Sequence, residues 1–119
     1  CDFGYMESHI TGDIRFYHDK AGFQDRSTFL EKMRNNICSN DSQKPIRKVD
    51  ENSLQVFPLY SDGILYGAIQ TGTHQFYRRN GTSEVWTGIA RFTHTWLLEN
   101  GIWKLDVVLS YDHQNTRPS

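Results

Sequence analysis

Residues 90–113 read ARFTHTWLLENGIWKLDVVLSYDH, two strand-like runs around Asn100-Gly101. Both runs are rich in β-branched and aromatic residues, which suit a pleated, half-buried surface. Asn-Gly supplies the left-handed backbone that a two-residue hairpin turn requires. With that turn, Leu98 opposes Trp103, Trp96 opposes Leu105, His94 opposes Val107, Phe92 opposes Leu109 and Ala90 opposes Tyr111. One face then carries Ala90, Phe92, His94, Trp96, Trp103, Leu105, Val107, Leu109, Tyr111 and His113. The other carries Ile89, Arg91, Thr93, Thr95, Lys104, Asp106, Ser110 and Asp112. The first face is the inner one, since side chains alternate with a period of two and the apolar set must be buried.

His94, Tyr111 and His113 are the polar groups on that apolar face. A buried polar group without a partner costs on the order of 1–3 kcal/mol, so these must meet one another, backbone, water or a ligand. His18 joins them as a fourth candidate, because Ile14, Phe16 and His18 share one face of the strand-like run IRFYH. For any single histidine a satisfied core or rim position is the ordinary reading; together the cluster points to a ligand-facing pocket.

Working outward, Asp2 to His9 is mildly helical, and Lys20-Ala21-Gly22 closes the first strand. Ser27 is a helix N-cap, and Thr28 to Ile37 places Phe29, Leu30, Met33 and Ile37 on one stripe. A polar loop, Ser39 to Pro45, ends the helix. The periodicity then turns strand-like: Lys48 to Pro58, bent at Asp50-Glu51-Asn52; a turn at Ser61-Asp62-Gly63; Ile64 to Tyr77; a turn at Asn80-Gly81; and Val85 to Leu98. If Asn80-Gly81 is also a two-residue turn, Leu65, Gly67, Ile69 and Thr71 join the inner face, and His74 takes the opposite one. Gly67, Gly72 and Gly88 suggest bulges or bends. Gln114 to Ser119 reads as a frayed tail. The order predicts an α+β fold, a curved antiparallel sheet packed on helices and forming a cone with a mouth.

With 119 residues the chain reads as one domain, residues 1–119, large enough to hold a core. The net charge of −1, with signs interspersed, lacks the basic face of a nucleic-acid or polybasic membrane surface. No apolar run approaches the ~18 residues of a membrane span, and no leader segment is visible. Cys1 and Cys38 leave both a single bridge and two free thiols open, and with them the compartment. No cofactor is expected. A metal site built from His18, His74, His94 and His113 is disfavoured by the parity of His74. Asn40-Asp41-Ser42 and Asn80-Gly81-Thr82 match the glycosylation acceptor pattern, which arises readily by chance.

Several segments together carry a family resemblance: Gly12 to Lys20, Phe29 to Cys38, GAIQTGTHQF at 67–76, Arg91 to Trp96, and Trp103 to His113, with the ending Gly101-x-Trp103-x-Leu105. On these the chain resembles the nuclear-transport-factor-2-like superfamily, with its SnoaL-like and ketosteroid-isomerase-like proteins, and in particular bacterial members of undefined function. The resemblance implies a cystatin-like cone of long strands around helices, a pocket at the open end and a homodimer formed through the sheet face. It also implies a long first helix, for which little chain precedes Asp2. Carried over, it places His18, Asp19, His94, Tyr111 and His113 near the pocket; Phe92 and Trp96, on the same inner face, complete the ligand-binding candidates. Isomerases of this fold use a carboxylate base with a tyrosine and a protonated acid. Here Asp19 and Asp112 fall on the parity opposite to the other candidates, which speaks against that chemistry. The leading expectation is a small-molecule-binding domain. An acid–base enzyme acting on a cyclic or aromatic substrate is the alternative, with His18 or His113 as base and Tyr111 as donor; it requires a His–Tyr or His–Asp hydrogen bond. A homodimeric association module that works through its threonine-rich outer face is the third.

Overall fold

The turn chemistry is realised where the sequence places it. Asn100 and Gly101 have φ of 52° and 79°, and Asp62 and Gly63 have 51° and 77°, so both turns adopt the left-handed pairing that Asn-Gly and Asp-Gly tolerate. Between such turns the alternating segments extend into long strands. The computed structural model describes residues 2–37 and 45–116, without the side chains of Asn36 and Ile37. Cys1, Cys38 and most of the Ser39–Pro45 loop lie outside the described residues.

Helix α1 (Phe3–Ser8) is capped by the Asp2 carboxylate, which accepts from the Tyr5 N–H. Strand β1 (Ile10–His18) and short β2 (Gly22–Gln24) form a hairpin, followed by α2 (Arg26–Ile37). Strands β3 (Pro45–Val49) and β4 (Gln55–Ser61) are separated by a single 3-10 turn at Glu51–Ser53, the bend expected there. Strands β5 (Ile64–Asn80), β6 (Ser83–Glu99) and β7 (Ile102–Gln114) complete the chain. Among the described residues the strands make one mixed sheet in the order β2-β1-β7-β6-β5-β3, with β4 also paired to β5. The α+β class holds, but β1 runs parallel to β7, so the sheet is not the purely antiparallel one expected. Among the described residues no helix is long and apolar enough to cross a membrane.

The α2 start differs from expectation. Asp25, not Ser27, is the N-cap: its carboxylate accepts from the Thr28 N–H at 2.9 Å, and the helix therefore begins two residues earlier than Thr28. Its apolar stripe packs on the inner sheet face. Ile10, Ile14, Phe29 and Val108 form the buried core, flanked by Phe16, Leu30, Met33 and Leu105. The buried Ile, Phe and Val surface of that cluster is what fixes α2 on the sheet.

Three bulges decide which side chains face that core. The β6–β7 hairpin starts in the expected register, with Leu98 opposite Trp103 and Trp96 opposite Leu105. Thr95 then pairs with Val107, which leaves Asp106 as an extra residue. From there the parity of β7 reverses: Val108 and Ser110 are buried in place of the predicted Val107 and Leu109. The bulge has two anchors. The Thr95 hydroxyl accepts from the Val107 N–H at 3.0 Å, and Thr11, itself buried, donates to the Asp106 carboxylate at 2.7 Å. A second irregularity follows Tyr111, where Asp112 has φ of 58°. It reverses parity again and returns His113 to the inner face. In the β5–β6 hairpin the turn is Gly81-Thr82 rather than Asn80-Gly81, since Asn80 pairs with Ser83. Thr87 is bulged between the pairs Tyr77–Trp86 and Phe76–Gly88. The inner residues of β5 are consequently Gly72, His74 and Phe76, not Leu65, Gly67, Ile69 and Thr71. Gly72 has a packing reason, because a Cβ there would sit 2.8 Å from the Phe92 ring.

Candidate functional site

The inner face of five strands carries one continuous polar and aromatic cluster. β1 contributes Phe16 and His18; β7 contributes Ser110 and His113; β6, Phe92 and His94; β5, His74 and Phe76; and β3, Arg47. Their rings touch in series. His18 stacks on His113 with centroids 4.2 Å apart, and His113 lies 5.9 Å from Phe76. Phe76 meets His74, His74 meets Phe92, and Phe92 meets His94, at 4.6, 5.0 and 4.6 Å. The floor is closed: His74, Ser110 and Phe92 are 4, 4 and 1 % exposed. His18, Asp19 and His113 form the accessible rim.

Asp19 is the residue that sequence parity misplaced. β1 ends at His18, so the alternation that put Asp19 on the far side stops one residue before it. Its N–H still donates to the Ser110 carbonyl at 3.1 Å, which holds it against β7. Its carboxylate then takes two hydrogen bonds from His113: Oδ2 from the backbone N–H at 3.1 Å, and Oδ1 from ring Nδ1. Partial desolvation raises the Asp19 pKa, but the two His113 hydrogen bonds outweigh it and hold the carboxyl below its ordinary range. The parity that set Asp19 apart from the other candidates is therefore overturned, although its carboxylate is exposed rather than buried.

The hydrogen bonds also assign proton positions. His113 Nδ1 carries the proton given to Asp19, so its Nε2 offers a lone pair, 3.4 Å from the Ser110 hydroxyl. His18 Nδ1 accepts from the Lys20 and Ala21 N–H groups at 3.1 and 2.9 Å, which puts its proton on Nε2. Burial, and next the nearby His113, lower its pKa and keep the ring neutral. His74 Nδ1 accepts from Arg47 Nε at 2.7 Å, so its proton is also on Nε2, within 3.5 Å of Ser110 Oγ. Burial, then the Arg47 charge, push His74 down to about 3. The same two causes push His94 down to about 4. The face thus presents neutral imidazoles between one carboxylate and one guanidinium.

Of the predicted site residues, His18, Asp19, Phe92, His94 and His113 are brought together. Trp96 stays on the inner face but lies toward the hairpin tip, its indole N–H bonded to Gln70 Oε1 at 3.1 Å. Trp103 is exposed there. Tyr111 is corrected outright. The Asp106 bulge turns it to the outer face, where it is 37 % exposed and shares a hydrogen bond with Thr93. His74, Ser110 and Arg47 belong to the site and were missed. His74 was put on the wrong face by the unseen Thr87 bulge, Ser110 by the Asp106 bulge, and Arg47 stood just ahead of the strand assigned from Lys48.

His18, Asp19 and His113 also place three ligand-type atoms within 4.8 Å of one another, the raw material of a metal site. His18 Nδ1 is already engaged by two backbone N–H groups and His113 Nδ1 by Asp19, so a cation there would compete with the hydrogen bonds that order the rim. Two open surface depressions lie elsewhere, one between α1 and α2 and one beside Gly12 to Arg15. Neither includes the histidine cluster, whose polar groups lie on the inner face of the curved sheet.

No protein-family model matches the chain, and no curated protein matches its sequence. Solved structures do match it. An NTF2-like protein of unknown function from Pseudomonas putida aligns with TM-score 0.68 and 14 % identity, over 92 % of this chain and 71 % of that one. A Streptomyces avermitilis protein assigned as a dehydratase of the NTF2-like family aligns with 0.67 and 15 %, over 92 % and 80 %. A Xanthomonas campestris protein assigned as a calcium/calmodulin-dependent protein kinase II association domain gives 0.67 and 15 %, over 92 % and 72 %. At these identities the likeness is one of fold, the fold that the sequence resemblance implied.

Proposed function

We propose that this chain, which has the nuclear-transport-factor-2-like fold, binds a small molecule on its concave face and carries out acid–base chemistry there, with His113 as the base. The carrying observation is the double hydrogen bond from His113 to Asp19. A carboxylate on Nδ1 fixes the tautomer that leaves Nε2 basic, and it stabilises the imidazolium once a proton has been taken. This is the His–Asp contact the sequence reading required of an enzyme. His113 Nε2 would lift a proton from the bound molecule. The neutral His18 ring, stacked beside it, would donate its Nε2–H to the oxygen on which charge develops. Phe16 and Phe76, both only partly buried, offer ring faces suited to a cyclic or aromatic substrate. The dehydratase assignment of a structural neighbour supports a proton-transfer role for such a face.

The test is solvent deuterium exchange into a panel of cyclic and aromatic carbonyl compounds and hydroxy acids. Exchange is expected with the unaltered chain, lost in H113Q and reduced about tenfold to a hundredfold in D19N. Undiminished exchange in H113Q would sink the assignment.

A second reading concerns the outer face. Phe23 and Tyr17 rings lie 5.2 Å apart, Tyr17 pairs with Leu109, Leu109 with Thr93, and Thr93 bonds Tyr111. This exposed aromatic and threonine strip supports a homodimer through the sheet, and an association-domain assignment among the structural neighbours favours it. Light scattering should give a dimer that T93E converts to a monomer; an unchanged mass for T93E would remove this reading.

A further inference from the structure

The geometry points to a carboxylate-bearing ligand, its charged end held by the Arg47 guanidinium while its reactive part lies over His113 and His18; this rests on the acid–base reading above. Arg47 leaves β3 opposite Phe76 and reaches across β5. Its guanidinium carbon stands 5.0 Å above the Phe92 ring, and its Nε donates to His74 at 2.7 Å. These two contacts fix the side chain from below and from one edge and partly desolvate the guanidinium, which lowers its pKa, while the residue as a whole remains exposed. Among the described residues no carboxylate lies within ion-pair distance of it. Among the described residues the ion pairs gather instead at Asp19, Glu84, Glu99 and Asp112. The terminal nitrogens thus present a pre-oriented fork with no described anion to receive it.

Such a fork matches the two oxygens of a carboxylate, and a side chain already held in place loses little freedom on binding. The surroundings add to the selectivity. His74 and His94 both lie in the field of Arg47 and are held neutral, so neither competes with it for an anion nor repels a neutral ring. The acidic end of the face, Asp19, is occupied by His113 and sits on the far side. The guanidinium stands over β6, and His113 and His18 are on the next two strands. At about 4.8 Å per strand, a carboxylate at Arg47 places atoms roughly 5–10 Å away over the two rings. That span suits a small substituted ring or a short-chain acid. The charge would anchor the molecule, and the neutral remainder would meet the base.

Matched pairs test this: benzoate against benzamide, and phenylacetate against phenylacetamide, titrated calorimetrically into the full chain and into R47Q and R47K. The carboxylates are expected to bind at least about tenfold more tightly than the amides. R47Q should abolish that preference, so that acid and matched amide bind alike. R47K, which keeps the charge but not the fork, should retain part of it and controls for loss of folding. Equal binding of acid and amide, or an acid preference that survives R47Q, overturns the inference; so does failure of every carboxylate to bind. The outcome is separable from that of the acid–base reading. If R47Q abolishes carboxylate preference while H113Q leaves exchange intact, the base assignment falls and the anion site stands. If H113Q abolishes exchange while acid and amide bind alike, the reverse holds.

Discussion

Acidification should destabilise this protein in a window set by two inward-facing imidazoles, His74 buried and His94 half-buried. His74 and His94 are pushed from an ordinary 6.5 to about 3 and about 4, by burial first and the Arg47 charge second. Their folded pKa values are depressed, so between 6.5 and those values the unfolded chain binds protons that the folded chain does not. Stability then rises with pH, is fully present above the unfolded value, and is lost as pH falls from about 7 toward 4. At about pH 5 each unfolded ring sits about 1.5 units below its pKa. At about 1.4 kcal/mol per unit this removes about 2 kcal/mol per histidine, about 4 kcal/mol for the pair. The result is insensitive to the folded values, because both lie at or below about 4. Against a typical domain stability of ~5–15 kcal/mol the loss is large. The depressed carboxyls Asp19, Asp25 and Glu84 act in the same direction but only around and below their ordinary values of 3.8, 3.8 and 4.5, outside most of this window.

Urea titrations at half-unit steps from about pH 8 to about pH 5 measure the effect. The H94Q variant should remove about 2 kcal/mol of that loss and H74Q a similar amount, with His18, also depressed, leaving a residual slope of the same sign. In H74Q the glutamine can still accept from Arg47 Nε but does not titrate. A stability that stays level from pH 8 to 5.5, or a pH dependence unaltered in both variants, would refute the reasoning by showing that these rings are solvated and titrate normally.

Other outcomes follow from single contacts. Gly67→Ala should cost about 1–3 kcal/mol in the same urea assay, because the added Cβ would lie 2.6 Å from the Trp96 carbonyl, an atom fixed in β6; a neutral result would mean that the β5–β6 approach is wrong. Thr11→Val keeps the shape but removes the donor to Asp106, and should cost about 1–3 kcal/mol while speeding hydrogen exchange at the Val107 amide. Asp25→Ala should lose about 1 kcal/mol, with Ser27→Ala near neutral, if Asp25 is the cap of α2.

Much of the fold was legible because it rests on local chemistry. Asn100-Gly101 and Asp62-Gly63 demand left-handed turns, and the alternation of Phe92, His94 and Trp96 demands a sheet with one buried face. Phe29, Leu30 and Met33 recur at helical spacing. His18 and His113 were also readable as site residues, but His113 only through two errors of register that cancel: the Asp106 bulge turns β7 over and the Asp112 bulge turns it back. Tyr111, between them, was inverted. His74 was inverted by Thr87: Gly88 beside it marks a bulge or bend, but not whether an extra residue reverses the parity.

The amino-acid sequence by itself determined where strands, turns and helices form, since each is set by residues a few positions apart. Only the tertiary structure decided which side chains share the concave face. The Asp106 bulge is pinned by Thr11, far away in sequence, and Asp19 finds His113 only because parallel pairing of β1 with β7 brings the two strand ends together. Period-two alternation assigns a face only until the first bulge. Beyond it the face is fixed by partners on other strands, which the local pattern does not contain.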